Sequence, residues 1–193
     1  MNIGIFGGSF NPIHNGHLII AEAVRQKFDL EQIIFVPAGK PPHKSIKGLA
    51  PALDRYRMIA VSIADNKYFR VSPLELSGEY RYTYQAIEYF KAKYSKDKIY
   101  FIIGADSFLA INKWRKKEAL LDMCEFIVIK RIGSEIKNTN KLLKKVKYAQ
   151  DIQQGISATD IRKKCAEKKS IKYLAPRKIE EYIKRHKLYT NKI

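Results

Sequence analysis

The 193-residue sequence has little cysteine: Cys124 and Cys165 stand alone, with no CxxC pair and no metal-ligand spacing around either. That usage excludes a disulfide framework and fits a reducing compartment. Long apolar runs are missing as well, and none reaches the length of a bilayer span. Met1-Asn2-Ile3-Gly4 leads straight into a strand-like stretch, with no basic segment followed by a cleavable apolar one. The expectation is a cytoplasmic protein with no membrane association. Two familiar phosphate loops are absent too. Lys44-Ser45 is preceded by His43 where GxxxxGK[ST] needs glycine, and Gly4, Gly7 and Gly8 miss the GxGxxG spacing.

Acidic residues are scarce, 19 against 37 Lys and Arg, for a net charge of +18. Nucleic-acid binding, attraction of small anions and a solvated lysine surface are the competing readings. Runs such as Lys141-Leu142-Leu143-Lys144-Lys145 alternate charge with apolar residues at helical spacing, which a solvated helix face explains. No RNP, KH or zinc-finger pattern accompanies them, so RNA binding ranks last.

Hydrophobic residues make up 46% of the chain, enough for one core and a small appended subdomain. Buried-strand patterns occur at Asn2–Phe6, Gln32–Val36, Phe69–Ser72, Lys98–Ile103 and Glu125–Ile129. Helical spacing covers Gly16–Phe28, Pro51–Ala64, Thr83–Tyr94, Asn138–Lys145, Ser157–Glu167 and Pro176–His186. Ser157-x-x-Asp160 reads as a capping box, and the prolines and lysines of Lys40–Gly48 read as a loop. Strands alternating with helices predict an α/β fold, a Rossmann-like, doubly wound parallel sheet. The core should span residues 1–155, with a small helical C-terminal subdomain at 156–193. In such sheets ligands sit beyond the C-terminal strand ends.

The first of those ends carries Gly7-Gly8-Ser9-Phe10-Asn11-Pro12-Ile13-His14-Asn15-Gly16-His17. Glycines after a buried strand let backbone amides approach a ligand, and the following helix aims its positive end at the same place. That combination is an anion site. His14 and His17, three apart, can reach one ligand at the helix mouth. As metal ligands they lack a third partner at compact spacing. The plainer alternative is a capped helix with two surface histidines.

GGSFNPIHNGH resembles the HxGH motif of nucleotidyltransferases, and Pro41-Pro42-His43-Lys44 is similar to a segment of nicotinate-nucleotide adenylyltransferases. Gly104-Ala105-Asp106, Asn112-Lys113-Trp114-Arg115, Ile156-Ser157-Ala158-Thr159-Asp160-Ile161-Arg162 and Tyr173-Leu174-Ala175-Pro176 extend the likeness over nearly the whole chain, in the family's order. The resemblance implies adenylyl transfer from ATP to nicotinate mononucleotide, giving deamido-NAD and pyrophosphate in NAD biosynthesis. Mg²⁺ is then expected on the phosphates, with few or no protein ligands.

The resemblance also implies roles. His14, His17, Lys44 and Arg162 would carry catalysis, with His17 stabilising the transition state. Gly7, Gly8, Ser9, Phe10, Gly104, Asp106, Ile156 and Ser157 would join His14, His17 and Arg162 around ATP, with Asp106 on the ribose. Asn11, Lys44, Tyr82, Thr83, Trp114 and Arg115 would receive the mononucleotide, with Trp114 stacked on the pyridine. Departures from the family pattern are Ala158 for a second serine, Ile132 for a proline, Gln85 for an aspartate, and a shortened segment before Tyr82. Rival readings are another HxGH adenylyltransferase, with a nicotinamide mononucleotide or phosphopantetheine acceptor, and a basic non-catalytic RNA-binding module. A homo-oligomer is compatible with the sequence.

Overall fold

The computed structural model describes residues 1–39, 48–77, 82–129, 146–149 and 155–190. Asn2–Gly8 (β1), Gln32–Pro37 (β2), Lys98–Gly104 (β4) and Glu125–Ile129 (β5) are apolar at consecutive positions, and nearly all their interior residues are buried. A strand apolar on both sides has to be covered on both faces, as a central parallel strand is. Phe69–Val71 (β3) and Val146–Ala149 (β6) are shorter and less buried, and they take the two edges. The six strands run in the order β3-β2-β1-β4-β5-β6.

Parallel register pairs Ile3 with Ile99 and Phe6 with Ile102 between β1 and β4, and Phe101 with Phe126 between β4 and β5. The order reverses at β1, the switch point of a doubly wound sheet. β1 and β4 therefore finish on one edge, where Gly7 and Gly104 lie.

The helices are Asn15–Lys27 (α1), Ala52–Ser62 (α2), Thr83–Lys93 (α3), Ala105–Leu109 (α4), Lys117–Met123 (α5), Ala158–Ala166 (α6) and Arg177–Arg185 (α7), with a single 3₁₀ turn at Ile111–Lys113. The periodic segments appear where the sequence predicts them, shifted by a residue or two at their ends. β6 was not expected. Val146-Lys147-Tyr148-Ala149 is too short to declare a period, and it becomes a strand by pairing with β5, Ile127 opposite Lys147. The predicted helix at Asn138–Lys145 and residues 40–47 of the predicted loop lie outside the described residues. Among the described residues no helix is long and apolar enough to cross a membrane.

The chain divides into two compact units. The first comprises Met1–Gly7, Ile20–Ile34 and Arg81–Gly155. Its core is built by Ile3, Ile5, Ile33, Ile99, Ile102, Phe126 and Ile127, all essentially inaccessible to water. The second comprises Gly8–Ile19, Phe35–Tyr80 and Ile156–Ile193. Phe10, Ile13, Phe35, Met58, Ile59, Ile161 and Ile179 form its core. Within that unit α7 packs on α2, where the Tyr182 hydroxyl donates to Asp54 at 2.7 Å. Residues 156–193 thus share a unit with the first loop and α2.

Candidate active site

The spacing of the two histidines has a local cause. The His14 carbonyl accepts from the His17 N–H at 2.9 Å and from Leu18 at 3.4 Å, so His14 stands at the mouth of α1 and His17 one turn in. The His14 N–H donates to His17 Nδ1 at 3.3 Å. This is the returning half of a capping box, with imidazole in place of the usual Glu or Gln side chain. A nitrogen that accepts carries no proton, so with Nδ1 accepting, the neutral His17 ring has its N–H at Nε2. The rings stack with centroids 3.7 Å apart, and the Phe10 edge meets His17 at 5.0 Å. His14 is buried and His17 half-buried. The structure brings together the pair that the sequence predicts.

Gly16 is what allows this stack. A Cβ there would come within 3.1 Å of His14 Nδ1 and 3.4 Å of Ile156 Cβ, so a side chain would displace the ring. For Gly7 and Gly8 the structure gives a different reason from the one expected. The rings of Phe101 and Phe10 lie 3.0 and 3.1 Å from the ideal Cβ positions, so a side chain at either glycine would need the facing ring to give by a few tenths of an ångström. Gly104 is the reverse case. It has an ordinary extended backbone and, among the described residues, nothing within 4 Å of a Cβ, so neither its conformation nor its packing against them requires glycine there. The open space suits the approach of a ligand.

Asn11 is the hub of the first loop. Its Nδ2 donates to the Gly48 carbonyl at 2.9 Å, and its Oδ1 accepts from the Ala50 N–H at 3.0 Å and the Tyr189 hydroxyl at 2.8 Å. Arg162 Nη1 donates to the Asn11 carbonyl at 2.8 Å and Nη2 to Thr159 Oγ1 at 3.3 Å. Burial pushes the Tyr189 phenol far above its ordinary value, against the opposing pull of Arg162 and Arg55, so it remains a donor at neutral pH. Asn15 ties the start of α1 to the C-terminal segment, its N–H donating to the Leu174 carbonyl at 2.9 Å and its Nδ2 to Tyr173 at 2.7 Å. The Asn11-Pro12 peptide is cis. Ser157 caps α6, its Oγ accepting from Thr159 at 3.2 Å, one position earlier than the predicted capping box places the bond.

Arg55 was not singled out from the sequence. It is completely buried on α2, and its guanidinium donates to the carbonyls of Ala50 at 2.9 Å, Ser9 at 2.8 Å and Gly39 at 3.0 Å. Burial pulls its pKa below the ordinary value, and Tyr189 and Glu75 pull it back. A buried cation without such partners would cost several kcal/mol. One signal was available: Arg55 shares a helical face with Met58 and Ile59, a charge where the apolar stripe predicts a hydrophobe.

Tyr82, Thr83, Gly104, Asp106, Trp114 and Arg115 stand in the first unit. Trp114 is half-buried, its ring edge-on to Phe101 at 6.2 Å. The Arg115 guanidinium lies over the Tyr82 ring at 4.5 Å, and Lys116 over Tyr84 at 4.7 Å. Thr83 opens α3, where Gln85 Oε1 accepts from the Tyr82 N–H at 2.9 Å. That bond gives the Gln85 departure a local role. Asp106 is exposed in the first turn of α4, directly after Gly104. Lys44, Ile132 and the shortened stretch at 78–81 lie outside the described residues. Among the described residues no group of three or more His, Cys, Asp or Glu could hold a metal ion.

The strand order defines a doubly wound α/β protein, and residues 5–164 match the family model described as cytidylyltransferase-like. The chain is 42% identical over 199 residues to a probable nicotinate-nucleotide adenylyltransferase of Thermoanaerobacter sp. (strain X514), covering 98% of this chain and 94% of that one. It is 43% identical over 195 residues to a protein of the same name from Clostridium acetobutylicum, covering 96% and 97%. Among solved structures, Plasmodium falciparum nicotinic acid mononucleotide adenylyltransferase complexed with NaAD superposes with a TM-score of 0.82 at 24% identity, covering 99% of this chain and 98% of that one. That likeness shows the fold. The chain belongs to the nicotinate-nucleotide adenylyltransferase family, and it is a nucleotidyltransferase.

Proposed function

We propose that this chain transfers the AMP moiety of ATP to nicotinate mononucleotide, forming deamido-NAD and pyrophosphate in NAD biosynthesis. The observation that carries the reading is the stacked pair of imidazoles at the mouth of α1, one turn apart and immediately downstream of β1. The mononucleotide's phosphate has a second pKa of about 6, so its oxygen is already anionic at neutral pH. It attacks the α-phosphorus in line, the bond from that phosphorus to the bridging oxygen breaks, and pyrophosphate leaves. Neither a protein nucleophile nor a general base is needed, and the work of the protein is alignment and charge stabilisation.

In this reading the Nε2–H of His17 donates to phosphate oxygens as charge develops, and His14 supports the stack beneath it. Arg162, held against the Asn11 carbonyl, supplies fixed positive charge, and Ser157 offers the N-terminus of α6. Residues 156–193 would thereby complete the ATP site. Lys44 is assigned to the triphosphate on the resemblance alone. Asp106 takes the ribose, with the open space at Gly104 admitting the nucleotide. Trp114 stacks on the pyridine, Thr83 and the backbone near Arg115 receive the nicotinate carboxylate, and Tyr82 contacts the mononucleotide. Asn11 we reassign from substrate contact to organiser of the loop, because its side chain is already engaged by Gly48, Ala50 and Tyr189.

The divalent ion in this reading is carried by the triphosphate itself, as the family resemblance implies. Mg²⁺ is the ion we propose, and when bound it neutralises the leaving pyrophosphate. Both cysteines are free thiols, which supports a cytoplasmic location. The deciding experiment is pyrophosphate release from ATP with nicotinate mononucleotide, nicotinamide mononucleotide or phosphopantetheine as acceptor. Turnover is expected to be fastest with the nicotinate form. Faster turnover with either rival acceptor would reassign the substrate, and salt-sensitive RNA binding without turnover would reject the enzyme.

A further inference from the structure

Resting on adenylyl transfer as the function, we propose that Arg55 is a positioning residue for the reaction: its buried guanidinium holds the first loop in the shape that receives the phosphates. Three separate backbone stretches meet on this one side chain, Ser9 after β1, Gly39 after β2 and Ala50 before α2. None of these carbonyls is held there by strand pairing. Each depends on a fork of donors whose geometry a guanidinium has and an ammonium lacks.

The Ser9 contact matters most. A trans peptide is planar, so a Ser9 carbonyl drawn toward Arg55 turns the Phe10 N–H to the opposite side. Phe10 has a φ of 42°, a left-handed conformation that bulky residues avoid and that persists only where its surroundings impose it. Two things impose it here. The Phe10 ring is buried against Phe35 at 5.6 Å, and Arg55 grips the preceding carbonyl. The same ring sets its edge on His17 at 5.0 Å. Arg55 is thereby linked through Ser9 and Phe10 to the imidazole assigned to the transition state, without touching substrate itself. Asn11 repeats the arrangement one residue further on, binding Gly48 and Ala50, so both sides of Phe10 are anchored to the approach to α2.

The test compares Arg55→Met, which keeps bulk and loses the donors, with Arg55→Lys, which keeps the charge and loses the fork. Ile59→Val, buried on the same helix with no polar atom changed, is the control for lost stability. All are assayed well below their melting temperatures. Both Arg55 variants are expected to melt cooperatively and to lose kcat on the order of 10²-fold, with KM for the mononucleotide nearly unchanged. Lysine should rescue little. In Arg55→Ala, added guanidinium should restore part of kcat where ammonium at equal ionic strength does not. The control should melt earlier and turn over normally.

Wild-type kcat in Arg55→Met overturns the proposal, as does full rescue by lysine or failure of both variants to fold. Absence of turnover in the wild-type protein would instead reject adenylyl transfer, so the two failures are told apart.

Discussion

In the unit that carries the first loop, side chains hold backbone carbonyls; in the unit that carries Trp114, rings are held by other rings and by cations. Arg55, Asn11, Asn15 and Arg162 all donate to main-chain oxygens, and Tyr189 braces Asn11 from the C-terminal segment. Trp114, Tyr82 and Tyr84 instead meet Phe101, Arg115 and Lys116 through ring faces and edges. Directional bonds to buried carbonyls define positions closely and leave little to reorganise, as stabilising growing negative charge requires. Exposed cation–π contacts are worth only about 0.5–1 kcal/mol each, so they can yield to an arriving pyridine ring. The contrast matches the division of labour proposed: reaction at a stiff loop, acceptor recognition at an adaptable aromatic cluster.

The sharpest way to break this comparison is His17→Ala. Loss of one preorganised donor should lower kcat by about 10²–10³-fold while the fold survives, read by pyrophosphate release alongside a thermal melt. Near-normal turnover would remove His17 from the chemistry. Next in size is Trp114→Ala. Its KM for the mononucleotide should rise roughly tenfold or more, reflecting about 1–3 kcal/mol of stacking, with KM for ATP almost constant. Equal loss for both substrates would make Trp114 a packing residue against Phe101.

Tyr189→Phe removes the donor to Asn11 Oδ1 and should destabilise by about 1 kcal/mol in urea unfolding at neutral pH. The size of this effect depends on pH. The folded phenol titrates well above the unfolded value of about 10, so the tyrosine contribution is complete below pH 10 and is lost as pH rises beyond it. The gap between variant and wild type should therefore narrow in alkali; a constant gap would deny the shift. Smallest is Ser157→Ala, where loss of an exposed cap should cost about 0.5 kcal/mol. An unchanged KM for ATP in that variant would reduce Ser157 to its capping role.

Much of this molecule is readable from its residues in order. The apolar runs of β1, β2, β4 and β5 announce strands covered on both faces, and their alternation with helices announces a parallel sheet. His14 and His17 are readable because their pairing is local, one helical turn with a glycine between. Ser157 is readable as a cap for the same reason. β6 escaped because a four-residue strand with a lysine inside it exists only through its neighbour, Ile127 opposite Lys147.

Tertiary structure alone decided the rest. It made Asn11 a bracket for the first loop, since Gly48, Ala50 and Tyr189 reach it from distant parts of the sequence. It also set neighbouring rings against Gly7 and Gly8, while among the described residues nothing crowds Gly104. Most of all it made Arg55, one more arginine in a chain of net charge +18, into a buried clamp on three loops. Local sequence dictates what a residue can donate or accept. Only the folded chain dictates which carbonyls come within its reach.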